Sequence, residues 1–148
     1  MNIRPATLAD LDDLVALEEA SFNGDRMSRR SWSHAVRAKS IAVLVAPLPE
    51  GGLGGCAVLF FRRGSGEGRI YSIAVAAAAR GRGLGRLLVA AAEEAARRRA
   101  CTSVRAEIRI DNSASRALFA GCGYHEYGGK PGYYEDGQDA VLIRRRLS

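Results

Sequence analysis

Residues 80–86 read RGRGLGR, three arginines interleaved with three glycines. Arg80, Gly83 and Gly85 give the spacing R-x-x-G-x-G, between an apolar strand-like stretch (RIYSIAV) and a strong helix former (LLVAAAEEAARRRA). That context favours anion binding. The first N–H groups of a helix lack intrahelical acceptors, and the helix dipole adds positive potential there. Glycines let a backbone approach a phosphate closely, and Arg80, Arg82 and Arg86 could neutralise it. The stretch lacks G-x-x-x-x-G-K-[ST], and it lacks the last glycine and the distal acid of a dinucleotide fingerprint. Three readings remain for the turn: a plain loop, a patch for polyanions, or a phosphate cradle.

The composition narrows the setting. The chain has 148 residues and a net charge of +6, carried almost wholly by arginine, since Lys39 and Lys130 are the only lysines. This length suits one domain with one main core. No apolar run is long enough to span a bilayer, and no secretory leader pattern opens the chain, so a cytoplasmic protein with no membrane contact is expected. Cys56, Cys101 and Cys122 are odd in number and not spaced as metal ligands, which predicts small buried hydrophobes and no metal site. The positive charge alone leaves a polyphosphate cofactor, a nucleic acid or no anionic partner open.

The elements that must position the turn follow from periodicity. IRP reads as a short strand. A helix follows, with Thr7 and Asp10 as a capping box and Leu11, Leu14, Val15 and Leu17 as its apolar stripe. A turn is expected at Asn23-Gly24 and a second helix over 28–38, with Trp32 and Val36 on one face. IAVLVAP and GCAVLFFRR form a hairpin around EGGLGG, and RIYSIAV is a third strand. After the helix that the glycine turn opens, SVRAEIRI alternates. Val104, Ala106, Ile108 and Ile110 share one face, and Arg105, Glu107 and Arg109 the other. NSASRALFAGCGY is a helix capped by Asn112 or Ser113. The tail gives Tyr133-Tyr134, a turn at Asp136-Gly137 and a closing strand, DAVLIRRRL. The order β-α-α-β-β-β-α-β-α-β-β defines an α/β protein with helices on both faces of a mixed sheet.

The combination of IAV, then GRGLGRLL, then a strand with a central glutamate, then N-x-x-x-x-x-L-[FY]-x-x-x-G-[FY] resembles the GNAT acetyltransferases. It is most similar to the RimI-type enzymes that acetylate protein N-terminal α-amines, through EIRIDNSASRALFAGCGY and YYEDGQDAVLI. The resemblance covers nearly the whole chain. It implies a single GNAT domain over 1–148, with a mostly antiparallel sheet of six to seven strands, and acetyl-CoA as donor. By this likeness Arg80, Gly81, Arg82, Gly83, Leu84, Gly85 and Arg86 hold the pyrophosphate, Ile73, Ala74 and Val75 offer backbone groups to the pantetheine arm and acetyl carbonyl, and Asn112 and Phe119 also border the cofactor.

Acetyl transfer sets its own demands. The attacking amine must lose a proton, the tetrahedral oxyanion needs a donor such as the Val75 N–H, and the leaving thiolate needs a proton. The resemblance implies Glu107 as general base; the other reading is a strand carboxylate paired with Arg105 or Arg109. RimI-type enzymes carry a tyrosine as general acid where this chain has Phe119, which cannot donate a proton. Tyr133 and Tyr134 are the substitutes in the catalytic set, while Tyr124 is expected to pack in the core. The segment FNGDRMSRRSW, with Asp25 its only acid, would shape the acceptor side. The expected acceptor is a peptide or protein N-terminal α-amine. The alternatives are a small amine or polyamine, or a non-catalytic acyl-CoA-binding module. No nucleic-acid partner is expected, because basic-aromatic RNA-binding motifs are absent. A monomer or a homodimer would both fit.

Overall fold

The computed structural model describes residues 2–21 and 27–148, so the turn expected at Asn23-Gly24 and the acid Asp25 lie outside the described residues. The chain runs β1 (Arg4–Pro5), α1 (Leu11–Ser21), α2 (Arg29–Arg37), β2 (Ile41–Pro47), β3 (Leu53–Phe61), β4 (Glu67–Val75), α3 (Leu84–Arg98), β5 (Ser103–Arg109), α4 (Ser113–Gly121), β6 (His125–Lys130) and β7 (Ala140–Arg146). The strands form one sheet in the order β1-β2-β3-β4-β5-β7-β6. Every neighbouring pair is antiparallel except β4 and β5, which are parallel. A parallel pair needs a crossover, and α3 provides it.

Strand alternation divides the core between the two faces of the sheet. Val43, Val45, Cys56, Val58 and Ala74 pack under α1 and α2 with Leu14, Leu17 and Trp32. Leu44, Ala57, Leu59, Val104, Ala106 and Ile108 pack under α3 with Leu84, Leu88 and Val89. The residue opposite Val75 in the ladder is Gly55. A Cβ there would lie 2.8 Å from Leu88 Cδ1 and 3.0 Å from the Ala74 carbonyl. The missing side chain therefore lets α3 seat directly on the β3–β4 pair, which fixes where its N-terminus points.

Local signals are met closely. The Thr7 N–H donates to Asp10 Oδ2 at 2.8 Å, although the box opens a 3-10 turn (Leu8–Asp10) ahead of α1. Arg4 grips the same carboxylate at 2.8 and 3.0 Å, and these bonds first, with the Thr7 N–H, hold Asp10 below the usual carboxylate range. Ser28 caps α2 through the Ser31 N–H at 3.0 Å. In α2 Trp32 and Val36 share a face and pack on the same cluster, with Ala35 buried beside them. One expectation changes. Ile110 lies beyond the end of β5 and is 42% exposed, so the strand's apolar face stops at Ile108.

Candidate active site

The glycine turn and α3 are one unit. The helix begins at Leu84, inside the motif, with Gly83 as its N-cap at φ 77°. Gly81 also has positive φ, at 80°. A Cβ at either glycine would meet open space, so backbone conformation rather than crowding requires them. Gly85 differs, since its Cβ would lie 3.2 Å from Leu118 Cδ2 on α4. Leu84 buries its side chain in the core and presents only its backbone. Among the described residues, none of the N–H groups of Gly81–Arg86 donates to a protein acceptor, and no side chain caps the helix. Six successive residues thus display unpaired donors at the positive end of a fifteen-residue helix, the arrangement an anion requires. The arginines have separate tasks. Arg80 Nε donates to the Val75 carbonyl at 3.3 Å, tying the turn to the end of β4. Arg86 reaches the Gly121 carbonyl at the end of α4, at 3.4 Å. Arg82 is exposed and has no partner among the described residues.

Next to the turn the sheet opens. β4 and β5 pair only from Glu67↔Ser103 to Ile70↔Ala106. At that point β4 carries a bulge: Leu59 faces Ile70 while Val58 faces Ser72, leaving Tyr71 as the extra residue. Such a bulge bends and twists a strand, and here β4 diverges from β5 beyond it. The Ala76 N–H donates to the Gly54 carbonyl at 2.8 Å. In an antiparallel ladder this sets the alternation, so Ala74 bonds to β3 through Cys56, whereas Ile73 and Val75 turn their peptide groups toward the gap. Of the three strand residues expected to offer backbone groups, Ile73 and Val75 are therefore the ones that face it.

The gap floors an open cleft of about 1000 Å3, lined among others by Glu107, Asn112, Phe119, Tyr133 and Tyr134. Topology brings these five together from β5, α4 and the β6–β7 loop. The Asn112 side chain caps α4 by accepting from the Ser115 N–H at 3.0 Å. Phe119 is 4% exposed, and its ring meets Tyr124 edge-on at 5.1 Å. Tyr124 donates to buried Glu93 at 2.9 Å, and burial, with the Glu93 charge, pushes its phenol well above the ordinary range; it is a structural residue. Burial also pushes the Cys56 thiol up, leaving it an inert core residue, while Cys122 is only half-buried.

Glu107 is not a solvated strand carboxylate. Its side chain is 5% exposed, and Arg69 Nε donates to Oε2 at 2.9 Å while Arg105 Nη1 donates to Oε1 at 2.7 Å. Arg109, the other partner considered, pairs instead with Asp136 and Asp111. Each carboxylate oxygen keeps a further lone pair, so Glu107 can still accept a proton. The pairs join into a ladder across β7, β4 and β5. Arg144 holds Glu67, Glu67 holds Arg105, Arg105 holds Glu107, and Glu107 holds Arg69. Arg69 then reaches over the cleft to the Tyr133 hydroxyl at 3.1 Å. Tyr133 and Tyr134 meet edge-on at 5.0 Å, and Arg109 lies 5.0 Å from the Tyr134 ring. Burial first, then the Tyr133 and Glu107 charges, push the Tyr134 phenol up to about 12.

Sequence reasoning missed Arg69, Tyr71, Ser72 and Arg109 as cleft residues. A signal existed: Arg69 and Tyr71 alternate with Ile70 in a strand read only as apolar, which marks a polar face.

The sequence matches the acetyltransferase (GNAT) family over residues 11–124. No curated protein sequence matches the chain. A ribosomal-protein-alanine N-acetyltransferase from Brucella melitensis is 31% identical, with a TM-score of 0.82 over 99% of this chain and 100% of that one. The NatC complex bound to Gag peptide and CoA (22% identical, TM-score 0.82, 99% and 98% covered) and nourseothricin acetyltransferase (22%, 0.82, 99% and 98%) share the fold. With the strand order, the β4–β5 opening and the uncapped glycine turn, the family match shows that this chain belongs to the acetyltransferase (GNAT) family and is an N-acetyltransferase.

Proposed function

We propose that the enzyme moves an acetyl group from acetyl-CoA to a primary amine, and that this amine is the α-amine of a peptide or protein N-terminus. The supporting observation is the open cleft over the β4–β5 gap, which gives an extended chain end-on access to Ile73 on β4 and to Glu107. The backbone donors of Gly81–Arg86 would hold the pyrophosphate, Ile73 and Val75 the pantetheine arm and the acetyl oxygen, and Asn112 and Phe119 the edge of that channel. Glu107 takes the amine proton, directly or through water, and the Tyr133-Tyr134 pair, which lines the same cleft, borders the acceptor and stands in for the acid missing at Phe119. The 31% identical ribosomal-protein-alanine N-acetyltransferase favours the N-terminal acceptor. A polyamine acceptor would call for unbalanced negative charge in the cleft, yet Glu107 is matched by Arg69 and Arg105, and Asp136 by Arg109. We read residues 1–148 as one such domain, acting in the cytoplasm as a monomer or homodimer. A CoA-release assay over peptide N-termini, lysine peptides and small amines tests this reading. A preference for free peptide α-amines of at least tenfold in kcat/KM supports it, and equal or better turnover of small amines overturns the acceptor assignment.

A further inference from the structure

We propose that Arg69 is a positioning residue that joins Glu107 and Tyr133 into one base–acid pair, and that Tyr133 is the proton donor to the leaving thiolate. The inference rests on the acetyl-transfer reading above and adds to it a residue and a choice between two tyrosines.

The argument begins with donor chemistry. A guanidinium only donates hydrogen bonds, so in the 3.1 Å contact with Arg69 Nη2 the Tyr133 oxygen must be the acceptor. Its own proton is then directed away from Arg69. Tyr133 is 40% exposed and lines the cleft, so that proton is available to a group lying there. The same guanidinium donates from Nε to Glu107 Oε2 at 2.9 Å, so one rigid fork sets the orientation of both side chains. The fork is itself held in place, with Phe60 and Tyr71 each 5.8 Å from its centre and stacked on one another at 4.8 Å. Burial works against the charge on Arg69, but the Glu107 bond and charge outweigh it and hold the guanidinium protonated. Tyr134 lacks this arrangement. Its ring packs against Tyr133 and Arg109, and among the described residues no guanidinium bond orients its hydroxyl. Phe119 removes the acid from α4, and Tyr133 supplies one from the β6–β7 loop.

The step balances as follows. The amine nitrogen bonds to the thioester carbon, and its proton passes to Glu107, directly or through one water. The C–S bond breaks with its electron pair going to sulfur, and the thiolate takes the Tyr133 proton. Arg69 faces the phenolate that remains. Water then carries the proton from Glu107 back to Tyr133, so no co-reactant is consumed.

The test is steady-state kinetics of Tyr133→Phe, Arg69→Met and the double variant, with acetyl-CoA and a free-α-amine peptide, beside calorimetric acetyl-CoA affinities and thermal midpoints. Tyr133→Phe should lower kcat about 10- to 100-fold with KM for acetyl-CoA within about twofold. Arg69→Met should lower kcat comparably, and the double variant should be no worse than the poorer single one, because both remove one unit. Tyr133→Phe removes one oxygen from a half-exposed ring, so it remains decisive if Arg69→Met fails to fold. Wild-type kcat in Tyr133→Phe, strictly additive losses, or a larger loss in Tyr134→Phe than in Tyr133→Phe overturns the inference while leaving acetyl transfer intact. A wild type that acetylates no amine overturns the functional reading and this inference with it.

Discussion

The glycine turn and the cleft, which we read as the donor and acceptor sides, are adjacent but built from different materials. The turn uses backbone: six successive N–H groups without acceptors among the described residues, two glycines at positive φ, and a helix seated by a third glycine, Gly55. The cleft uses side chains drawn from β4, β5, α4 and the β6–β7 loop, tied to β7 through alternating charge that runs from Arg144 to Tyr133. A backbone site tolerates change in the side chains around it but fails when one conformation or one donor is lost. A side-chain network places chemistry freely, but each member depends on partners far away in sequence.

Substitutions can break this contrast, and the largest effect is expected in the cleft. Glu107→Gln should reduce kcat about 100- to 1000-fold while changing acetyl-CoA affinity by less than about threefold, as stopped-turnover assays and calorimetry would show. Equal losses in both would mean that the two regions are not separable.

This contrast also explains what could be read from the sequence. The order of strands and helices was legible because each element carries its own signal: the capping residues Thr7 and Ser28, the alternation of β5, the glycine-marked end of α4. The donor turn was legible for the same reason, since its donors and its glycines are contiguous. Glu107 was legible as a candidate only through the family pattern; of its two partners, Arg105 was expected from its place on the same strand, while Arg69 lies 38 residues away. That pairing depends on the parallel β4–β5 register, which no local spacing encodes. The Tyr71 bulge that opens the sheet has no turn residue to mark it.

A smaller effect separates the regions by pH. Burial pulls the Glu67 carboxyl upward, but the Arg144 and Ser103 bonds and the arginine charges outweigh it, so Glu67 sits below its ordinary value in the folded protein. The folded state therefore binds that proton less readily than the unfolded chain. The stabilisation is present above the unfolded pKa of roughly 4.5 and is lost as pH falls through the folded value. The thermal midpoint should drop below about pH 4.5, and Glu67→Gln should flatten that slope while lowering the midpoint at pH 7 by only a few degrees, since the pair is partly solvated. An unchanged acid slope in the variant would remove Glu67 from the ladder.

The smallest effect is expected at Phe119. If Tyr133 provides the proton, restoring a phenol on α4 with Phe119→Tyr should change kcat by less than about twofold. A tenfold rise would place the acid on α4 and break the division between the two regions at that point.

The central claim is that the unpaired N–H groups of the glycine turn hold the pyrophosphate. Gly83→Asp tests it most directly, because aspartate is a favoured N-cap and, among side-chain-bearing residues, one of those that best tolerate positive φ. Its carboxylate would fill the donors at the start of α3 and place negative charge where the phosphate belongs. Calorimetry with acetyl-CoA should show affinity falling about 100-fold or more, roughly 3 kcal/mol, while the thermal midpoint stays within a few degrees of the parent. Unchanged affinity in a folded Gly83→Asp protein would contradict the account.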